Sequence, residues 1–293
     1  MKILIIGAAG MLGHQVLRRL QAQYKTDVYG TVRKAVSYYS GYNVFQNSQL
    51  LGDVDVLDFS SLENILNKVQ PRWIINCVGL TLRKEDVASF EKCLEINSML
   101  PHRLSLWALK NSAKLIHFST DCVFDGRSGN YRESDIPTAT DLYGKSKFLG
   151  ETHLKSSLTM RLSIIGRELE GKTELVEWFL SQKNTSVKGY TRAMYSGLTT
   201  IRVANEVARI IEKFPELYGL YQVSSQPISK FDLLQLLNKH FVANVNISPF
   251  DGYLADKTLN CDRYSYATAF SPPTWEEMIY ELSQDKMADY GDI

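Results

Sequence analysis

A tyrosine and a lysine four residues apart suggest redox chemistry in this chain. Tyr143 and Lys147, within the segment DLYGKSK at 141–147, would lie one turn apart on one face of a helix. Thr120 precedes them, in a Ser-Thr-Asp segment that ends an apolar run. A phenol can donate a proton, a nearby ammonium lowers the pKa of that phenol, and a hydroxyl can hydrogen-bond a carbonyl oxygen. Together these groups could reduce a ketone or oxidise an alcohol.

The same spacing occurs a second time, at Tyr253 and Lys257. Spacing alone therefore does not identify a site, and the elements around each pair must decide.

A glycine-rich segment, GAAGMLG at 7–13, lies between the first apolar run and the first helical pattern. Small residues there let the backbone approach a pyrophosphate at a helix N-terminus, although a turn that only packs a strand against a helix would look similar. Its place at the start of a strand–helix–strand unit favours dinucleotide binding. The predicted contacts are Gly7, Gly10, Met11, Leu12 and Gly13.

The second predicted strand is followed by two cations, Arg33 and Lys34, and by no acidic residue. A site for NAD would place a carboxylate there for the ribose hydroxyl, whereas arginine suits the 2′-phosphate of NADP. We therefore predict NADP (NADPH), with NAD possible and a solvated basic turn as the alternative. Asp58, with Phe59 beside it, is predicted to accept a hydrogen bond from the adenine amino group.

Short apolar runs alternate with helical patterns in the first half of the chain. Predicted strands cover 3–6, 28–32, 73–78, 115–119 and 158–165, and predicted helices cover 11–23, 61–69, 90–110 and 143–155. Continuous apolar strands separated by helices indicate a parallel sheet covered on both faces. The predicted fold class is α/β, a Rossmann-type doubly wound parallel sheet with a smaller interleaved α+β substrate lobe.

The pattern changes at residue 166 to short polar and aromatic segments, followed by a helix at 201–214, a strand at 218–224 and a helix at 230–240. We predict an NAD(P)-binding domain over 1–165, with 201–224 returning to it. The substrate lobe would comprise 166–200 and 225–285, and 286–293 would form a flexible tail.

The bulk composition excludes several classes of protein. Lysine plus arginine (33) nearly balance aspartate plus glutamate (32), so no nucleic-acid or membrane partner is indicated. No apolar run reaches the roughly 18 residues that span a bilayer. The four cysteines form no metal-binding spacing. We expect a cytoplasmic protein with reduced thiols and no metal.

With these segments placed, the chain resembles the extended short-chain dehydrogenase/reductase family, and within it the dTDP-4-dehydrorhamnose reductase branch. The matching segments span nearly the whole chain: 7–13, Asp58, 76–79, Asn97, 119–126, 131–137, 143–151, Arg161, 197–200, 219–224 and 275–279.

The resemblance implies NADPH-dependent reduction of a keto group on a nucleotide sugar, in polysaccharide biosynthesis, by an enzyme that can be a homodimer. Thr120, Tyr143 and Lys147 would be catalytic. Val78, Gly79, Asn97, Tyr143 and Lys147 would contact the cofactor, and Thr81, Thr120, Asp121 and Ile164 would contact the substrate.

The resemblance also separates the two tyrosine–lysine pairs. Tyr143 follows a strand that ends in a hydroxyl residue and opens a helix, and Tyr253 does neither. We interpret Tyr253 and Lys257 as a chance spacing or a surface pair.

Several departures bear on the substrate. Cys122 stands where the family often has tyrosine, and we expect it to be a small buried filler. Ile164 stands where a tryptophan can face the sugar, and the loop at 80–86 is less acidic than in the family. A dehydratase would need an acid after Asp121, which is absent. An epimerase and a non-catalytic NADP-binding subunit, like that of methionine adenosyltransferase, remain alternatives.

Overall fold

The computed structural model describes residues 1–46, 48–81, 90–171 and 173–285. The predicted tail at 286–293 and most of the loop at 80–86 lie outside them. In chain order the strands are β1 (Ile3–Ile6), β2 (Val28–Thr31), β3 (Gln49–Leu51), β4 (Trp73–Asn76), β5 (Lys114–Thr120), β6 (Ser157–Leu162), β7 (Ile164–Ile165), β8 (Ser186–Tyr190), β9 (Ala193–Tyr195), β10 (Leu198–Thr199), β11 (Gly219–Gln222), β12 (Ile228–Ser229), β13 (Asn246–Phe250) and β14 (Ala255–Asp256).

The helices connect these strands. They are α1 (Gly13–Tyr24), α2 (Phe59–Val69), α3 (Phe90–Cys93), α4 (Leu100–Lys110), α5 (Leu142–Leu149), α6 (Leu175–Leu180), α7 (Thr200–Lys213), α8 (Lys230–Phe241), α9 (Asp262–Thr268) and α10 (Trp275–Gln284). A π-helical segment, Leu94–Met99, joins α3 to α4. The predicted helix at 90–110 is therefore helical throughout, with a local change of pitch around Asn97.

A seven-stranded sheet forms the centre of the molecule, in the order β11-β6-β5-β4-β1-β2-β3. All of its neighbouring strands are parallel. Alternate residues of β1 enter different apolar clusters, since Ile3 and Ile5 belong to one and Leu4 and Ile6 to the other. Two cores on two faces of a parallel sheet confirm the predicted doubly wound α/β fold.

Two predicted elements end three or more residues earlier than the sequence pattern suggests. The helix predicted at 143–155 stops at Leu149, and Gly150 directly after it packs on the carbonyl oxygen of Asn97, where a Cβ would overlap. The strand predicted at 158–165 divides after Leu162. Its first part pairs with β5, and its last two residues, β7, pair with β10 outside the central sheet. β3 was not predicted, because it is only three residues long.

The segments after β7 form smaller sheets, ordered β10-β7, β12-β9-β14 and β13-β8. β11 adds to the edge of the central sheet beside β6. Among the described residues, no helix is long and apolar enough to cross a membrane.

Candidate active site

The glycine-rich loop follows β1 and makes a turn that larger residues could not follow. Gly7 has a positive φ of 83°, and a Cβ on Gly13 would overlap the carbonyl oxygen of Gly7. The Val78 side chain, at the end of β4, packs against Gly7. α1 begins at Gly13 with no side-chain cap and no acidic residue in its first turn. Its first amides and positive helix end therefore suit an anion such as a pyrophosphate.

Two of the predicted loop contacts, which are neighbours in the chain, differ in burial. Met11 is half-buried, whereas the side chain of Leu12 is buried in the core cluster under the sheet. Any contact between Leu12 and a cofactor would therefore use its backbone.

The cations after β2 differ in their surroundings. Arg33 is exposed. Lys34 lies 3.4 Å from the Glu170 carboxylate and 3.5 Å from the centre of the Tyr38 ring. A 2′-phosphate would therefore compete with Glu170 for Lys34, and Arg33 is the more available cation.

Asp58 is the N-cap residue of α2. Its carboxylate caps α2 by accepting a hydrogen bond from the backbone amide of Ser61 at 3.1 Å. Phe59, the first residue of α2, lies under the guanidinium of Arg103, 5.5 Å from the ring centre. A contact from either residue to adenine stays a prediction.

Tyr143 lies next to Thr120 because α5 packs directly on the turn that follows β5. Asp141 caps α5 by accepting from the amide of Gly144 at 2.8 Å. A Cβ on Gly144 would overlap the carbonyl oxygen of Cys122, so only glycine allows this approach. Thr120 is near enough to Tyr143 to act on its pKa, in the downward direction. The structure therefore places Tyr143 beside Thr120, as the sequence pattern indicated.

The net pKa shift of Tyr143 is opposite to the prediction. Burial raises the pKa, Cys122, Asp121 and Glu174 raise it further, and Thr120 opposes them. Lys147 is not among the groups that shift this pKa, and a lowering by Lys147 together with the charge of oxidised nicotinamide stays a prediction. A tyrosine is protonated at neutral pH in any case, so the raised pKa makes Tyr143 a weaker acid, and a cation would have to stabilise its phenolate for the proton to transfer.

Lys147 is buried, with 5% of its surface exposed, and its ammonium donates a 2.6 Å hydrogen bond to the carbonyl of Phe118. Burial lowers its pKa to about 8, and Glu151 opposes the shift. A Cβ on Gly79 would lie 3.6 Å from both the Lys147 ammonium and the Asn97 side-chain oxygen. Lys147, Gly79 and Asn97 therefore surround one small space at the carboxyl ends of β4 and β5.

Asn97 is fully buried in the π-helical segment. Its side-chain oxygen accepts from the amide of Leu80 at 2.9 Å, and its nitrogen donates to the carbonyl of Leu80 and to the Ser146 hydroxyl. Since both of its amide hydrogens are used, Asn97 ties the loop after β4 to α5.

Thr120 has one hydroxyl hydrogen, and it is already used. The hydroxyl donates to the Asp121 carboxylate at 3.1 Å and accepts from the amide of Cys122 at 3.1 Å. To donate to a substrate oxygen, Thr120 would have to turn away from Asp121.

The predicted substrate contacts spread along the same cleft. Thr81 donates to the Glu174 carboxylate at 3.4 Å, and Ile164 is half-buried against the core. Asp121 is buried, and burial raises its pKa. Burial also raises the pKa of the Cys122 thiol, to about 12, which agrees with a filler and not a nucleophile.

Sequence reasoning missed three residues that approach this cleft from the later part of the chain: Glu174, Tyr195 and Lys257. Of the two interpretations of Tyr253 and Lys257, a chance spacing or a surface pair, the surface pair holds only for Tyr253, which is half exposed and lies 5.4 Å from the Tyr190 ring. Lys257 instead lies beside Asp121 and Cys122. Only a long-range contact places it there, and no local pattern could have shown it.

Sequence comparison identifies the family to which this arrangement belongs. A profile of the RmlD substrate binding domain matches residues 1–286. The chain belongs to this family. The resemblance seen in its motifs is thereby confirmed.

Individual relatives in this family carry different descriptions. A probable low-salt glycan biosynthesis reductase, Agl14, from Haloferax volcanii is 28% identical over 76% of this chain and 74% of its own length. The methionine adenosyltransferase 2 subunit beta of Bos taurus is 30% identical over 58% of this chain and 48% of its own length.

A solved structure has the same fold. The dTDP-4-dehydrorhamnose reductase of Bacillus anthracis, determined in complex with NADP, is 21% identical. It aligns over 97% of this chain and 99% of its own, with a TM-score of 0.77.

Proposed function

We propose that this protein uses NADPH to reduce the keto group of a nucleotide-activated 4-keto-deoxysugar, in the biosynthesis of a cell-surface polysaccharide. One observation carries the proposal: Gly144 lets α5 pack on the Cys122 carbonyl, which sets a tyrosine beside Thr120, in the same helix as a buried lysine. The family match and the glycan reductase among its relatives support an oxidoreductase acting on a nucleotide sugar.

The residues present fit a dinucleotide. The turn at Gly7 and the uncapped start of α1 suit the pyrophosphate, and Gly79 leaves space beside Lys147 and Asn97. When bound, NADPH would supply the hydride that reaches the carbonyl carbon.

The chain's own groups would complete the reduction. Tyr143 donates its phenol proton to the carbonyl oxygen, so that carbonyl, hydride and proton give an alcohol. Thr120 turns from Asp121 and donates a hydrogen bond to the same oxygen while negative charge develops there. Lys147, held by the Phe118 carbonyl, would orient the nicotinamide ribose and stabilise the phenolate that Tyr143 becomes.

A preference for NADPH over NADH is supported by the exposed Arg33 and by the lack of a carboxylate directly after β2. The NADP-bound neighbour of the same fold has this cofactor. We also propose a cytoplasmic location, because all four cysteines are free thiols, as expected in a reducing compartment.

The test is a panel of nucleotide 4-keto-sugars offered with NADPH and with NADH. We expect NADPH oxidation with at least one 4-keto-deoxysugar and a smaller kcat/KM with NADH. No oxidation of either cofactor with any member of the panel would contradict a reductase.

A second candidate is a non-catalytic NADP-binding subunit. The match to the methionine adenosyltransferase subunit beta favours it, although this chain spans about half of that relative's length. A protein of this kind would bind NADP, reduce none of the nucleotide 4-keto-sugars in the panel and alter the kinetics of a partner enzyme.

We further propose a homodimer. The end of the π-helical segment, α4 and α5 carry apolar side chains that are exposed in the described structure: Met99, Leu106, Leu109, Phe148 and Leu149. The two helices are joined at this surface by a 2.7 Å hydrogen bond between His102 and the Leu149 carbonyl. A second copy of the same surface would bury these side chains by two-fold symmetry.

A further inference from the structure

Lys34 lies at the carboxyl end of β2, beside the start of the glycine-rich loop. β2 pairs in parallel with β1, so the residues after the two strands are neighbours. The Lys34 carbonyl accepts a hydrogen bond from the amide of Asp53 at 3.2 Å, and its ammonium lies 3.5 Å from the centre of the half-exposed Tyr38 ring. In a dinucleotide-binding sheet, the adenosine ribose is bound at the end of this strand.

A carboxylate from a distant part of the chain already binds this ammonium. Glu170 follows 136 positions later, between β7 and α6, and both of its carboxylate oxygens approach the Lys34 ammonium, at 3.4 and 3.5 Å. Both side chains are 40% exposed. An ion pair that is this open to solvent contributes little to stability, so a ligand can break it at a small cost.

The packing of the chain around Glu170 keeps its carboxylate in this place. Leu169, directly before it, is 3% exposed and belongs to the apolar cluster that also contains Tyr39 and Tyr42, shortly after Lys34. Burial raises the pKa of both tyrosines, and the charge of Glu170 raises it further. Because its neighbour is buried in the core, the backbone of Glu170 cannot move far from Lys34.

A 2′-phosphate on the adenosine ribose would meet this carboxylate as well as the two cations. The phosphate carries up to two negative charges, so Glu170 would repel it. To bind Lys34, the phosphate would also have to replace Glu170 as the partner of the ammonium. NAD has an uncharged hydroxyl at that position, so neither effect applies to NAD. Glu170 should therefore weaken the binding of NADP and leave that of NAD unchanged.

We propose that Glu170 is a specificity residue that limits the preference of this protein for NADP over NAD. The inference rests on the proposed function, in which NADPH is the preferred cofactor. Glu170 supplies, from a distant segment, the carboxylate that the sequence lacks directly after β2. It occupies Lys34, so the exposed Arg33 binds the 2′-phosphate with less help from the lysine.

Equilibrium binding of the oxidised cofactors tests this role without depending on turnover. NADP⁺ and NAD⁺ are titrated separately into wild type, Glu170→Gln and Glu170→Lys by isothermal titration calorimetry. Glu170→Gln should lower the Kd for NADP⁺ about 3- to 10-fold, because it removes the repulsion and frees Lys34, and should change the Kd for NAD⁺ less than about twofold. Glu170→Lys should lower the Kd for NADP⁺ further. Added salt should reduce these differences, because exposed charges are screened.

Two further variants separate competition for Lys34 from a general effect of charge. Glu216→Gln is the matched control, because Glu216 pairs with Lys114 at 3.1 Å and its loss changes the net charge equally. Lys114 begins β5, at the opposite end of the sheet, so this variant should bind both cofactors like wild type. Lys34→Met should weaken NADP⁺ binding. In that background Glu170→Gln should give a smaller gain in NADP⁺ affinity, since no lysine is left to free.

An equal gain in affinity for NADP⁺ and NAD⁺ in Glu170→Gln would overturn the proposal, and so would an unchanged Kd for NADP⁺. Thermal melting of each variant separates a change in binding from a change in folding. If Glu170→Gln tightens NADP⁺ selectively while wild type reduces no keto-sugar, the specificity role stands and the proposed reductase activity fails. Reduction of a keto-sugar by wild type, with no change of cofactor affinity in Glu170→Gln, would give the reverse conclusion.

Discussion

At the scale of single residues, the proposed reaction depends on which groups hold a proton. Tyr143 holds its proton at neutral pH, and burial raises its pKa, so the phenol needs a cation to stabilise the phenolate that donation leaves. The same burial lowers the pKa of Lys147 to about 8, so the cation that must stabilise the resulting phenolate is the group nearest to losing its charge. Lys147, and not Tyr143, should therefore set the alkaline limit of activity.

We expect kcat/KM to fall about tenfold per pH unit above about pH 8, as the Lys147 ammonium is lost.

The effect of the Lys147 pKa shift on stability has the opposite sign. Unfolded lysine keeps its proton to about 10.5, so between about 8 and 10.5 the unfolded state binds more protons, and the contribution of Lys147 to the free energy of unfolding rises with pH. The arginine of the Lys147→Arg variant stays charged, so the pH–rate profile of its residual activity should not show the alkaline fall in kcat/KM. A fall at the same pH in that variant would contradict the assignment.

At the scale of elements, α5 is held to the sheet by a buried ion pair. Glu151 accepts two hydrogen bonds from Arg161, at 2.9 and 2.7 Å, and one from Ser119 at 2.6 Å. Both charged side chains are only 1% exposed. The pair joins the segment after α5 to β5 and β6. It thereby helps to fix the position of α5, which carries Tyr143 and Lys147.

Glu151→Gln should lower the free energy of unfolding by about 3 kcal/mol or more, because it leaves the buried Arg161 charge without a counter-ion. Urea denaturation measures this change. The matched control is Glu216→Gln, since Glu216 pairs with Lys114 at 3.1 Å while 83% exposed. That variant should lose less than about 1 kcal/mol. Equal losses in the two variants would show that the buried pair does not anchor α5.

Local patterns predicted most elements that carry the site, but not how they end. The glycine loop, the strand before Thr120 and the helix containing Tyr143 could be predicted, because each has its own apolar periodicity or its own turn residues. Gly150, directly after α5, packs on the carbonyl of Asn97, 53 positions earlier in the chain (150 − 97), and no periodicity indicates such a contact. The upward effect of burial on the pKa of Tyr143 was not predicted for the same reason, because burial is a property of the packed structure.

At the scale of the whole molecule, the two parts of the chain meet at one cleft. β5 of the central sheet supplies Thr120, α5 supplies Tyr143 and Lys147, and later segments supply Tyr195 and Lys257. The parallel sheet followed from alternating strands and helices. The contact between 126–131 and 256–260 could not be predicted, because it pairs segments more than a hundred residues apart without a shared pattern.

The proposed homodimer is tested by charging its apolar surface. Wild type should sediment at twice the chain mass of 33.3 kDa, and Leu106→Lys should sediment as a monomer. Val242→Lys is the control, because Val242 is 69% exposed and lies at the end of α8, far along the chain from this surface. It should sediment like wild type. A monomeric wild type would rule out the dimer.

The most direct test of the central claim is NADPH oxidation by Tyr143→Phe with a nucleotide 4-keto-sugar that wild type reduces. The substitution removes only the proton donor, so we expect kcat to fall at least about a hundredfold while the Kd for NADPH changes less than about threefold. Thr173→Val, outside the proposed reaction, should keep wild-type kcat. Undiminished turnover by Tyr143→Phe would contradict the claim that Tyr143 protonates the substrate.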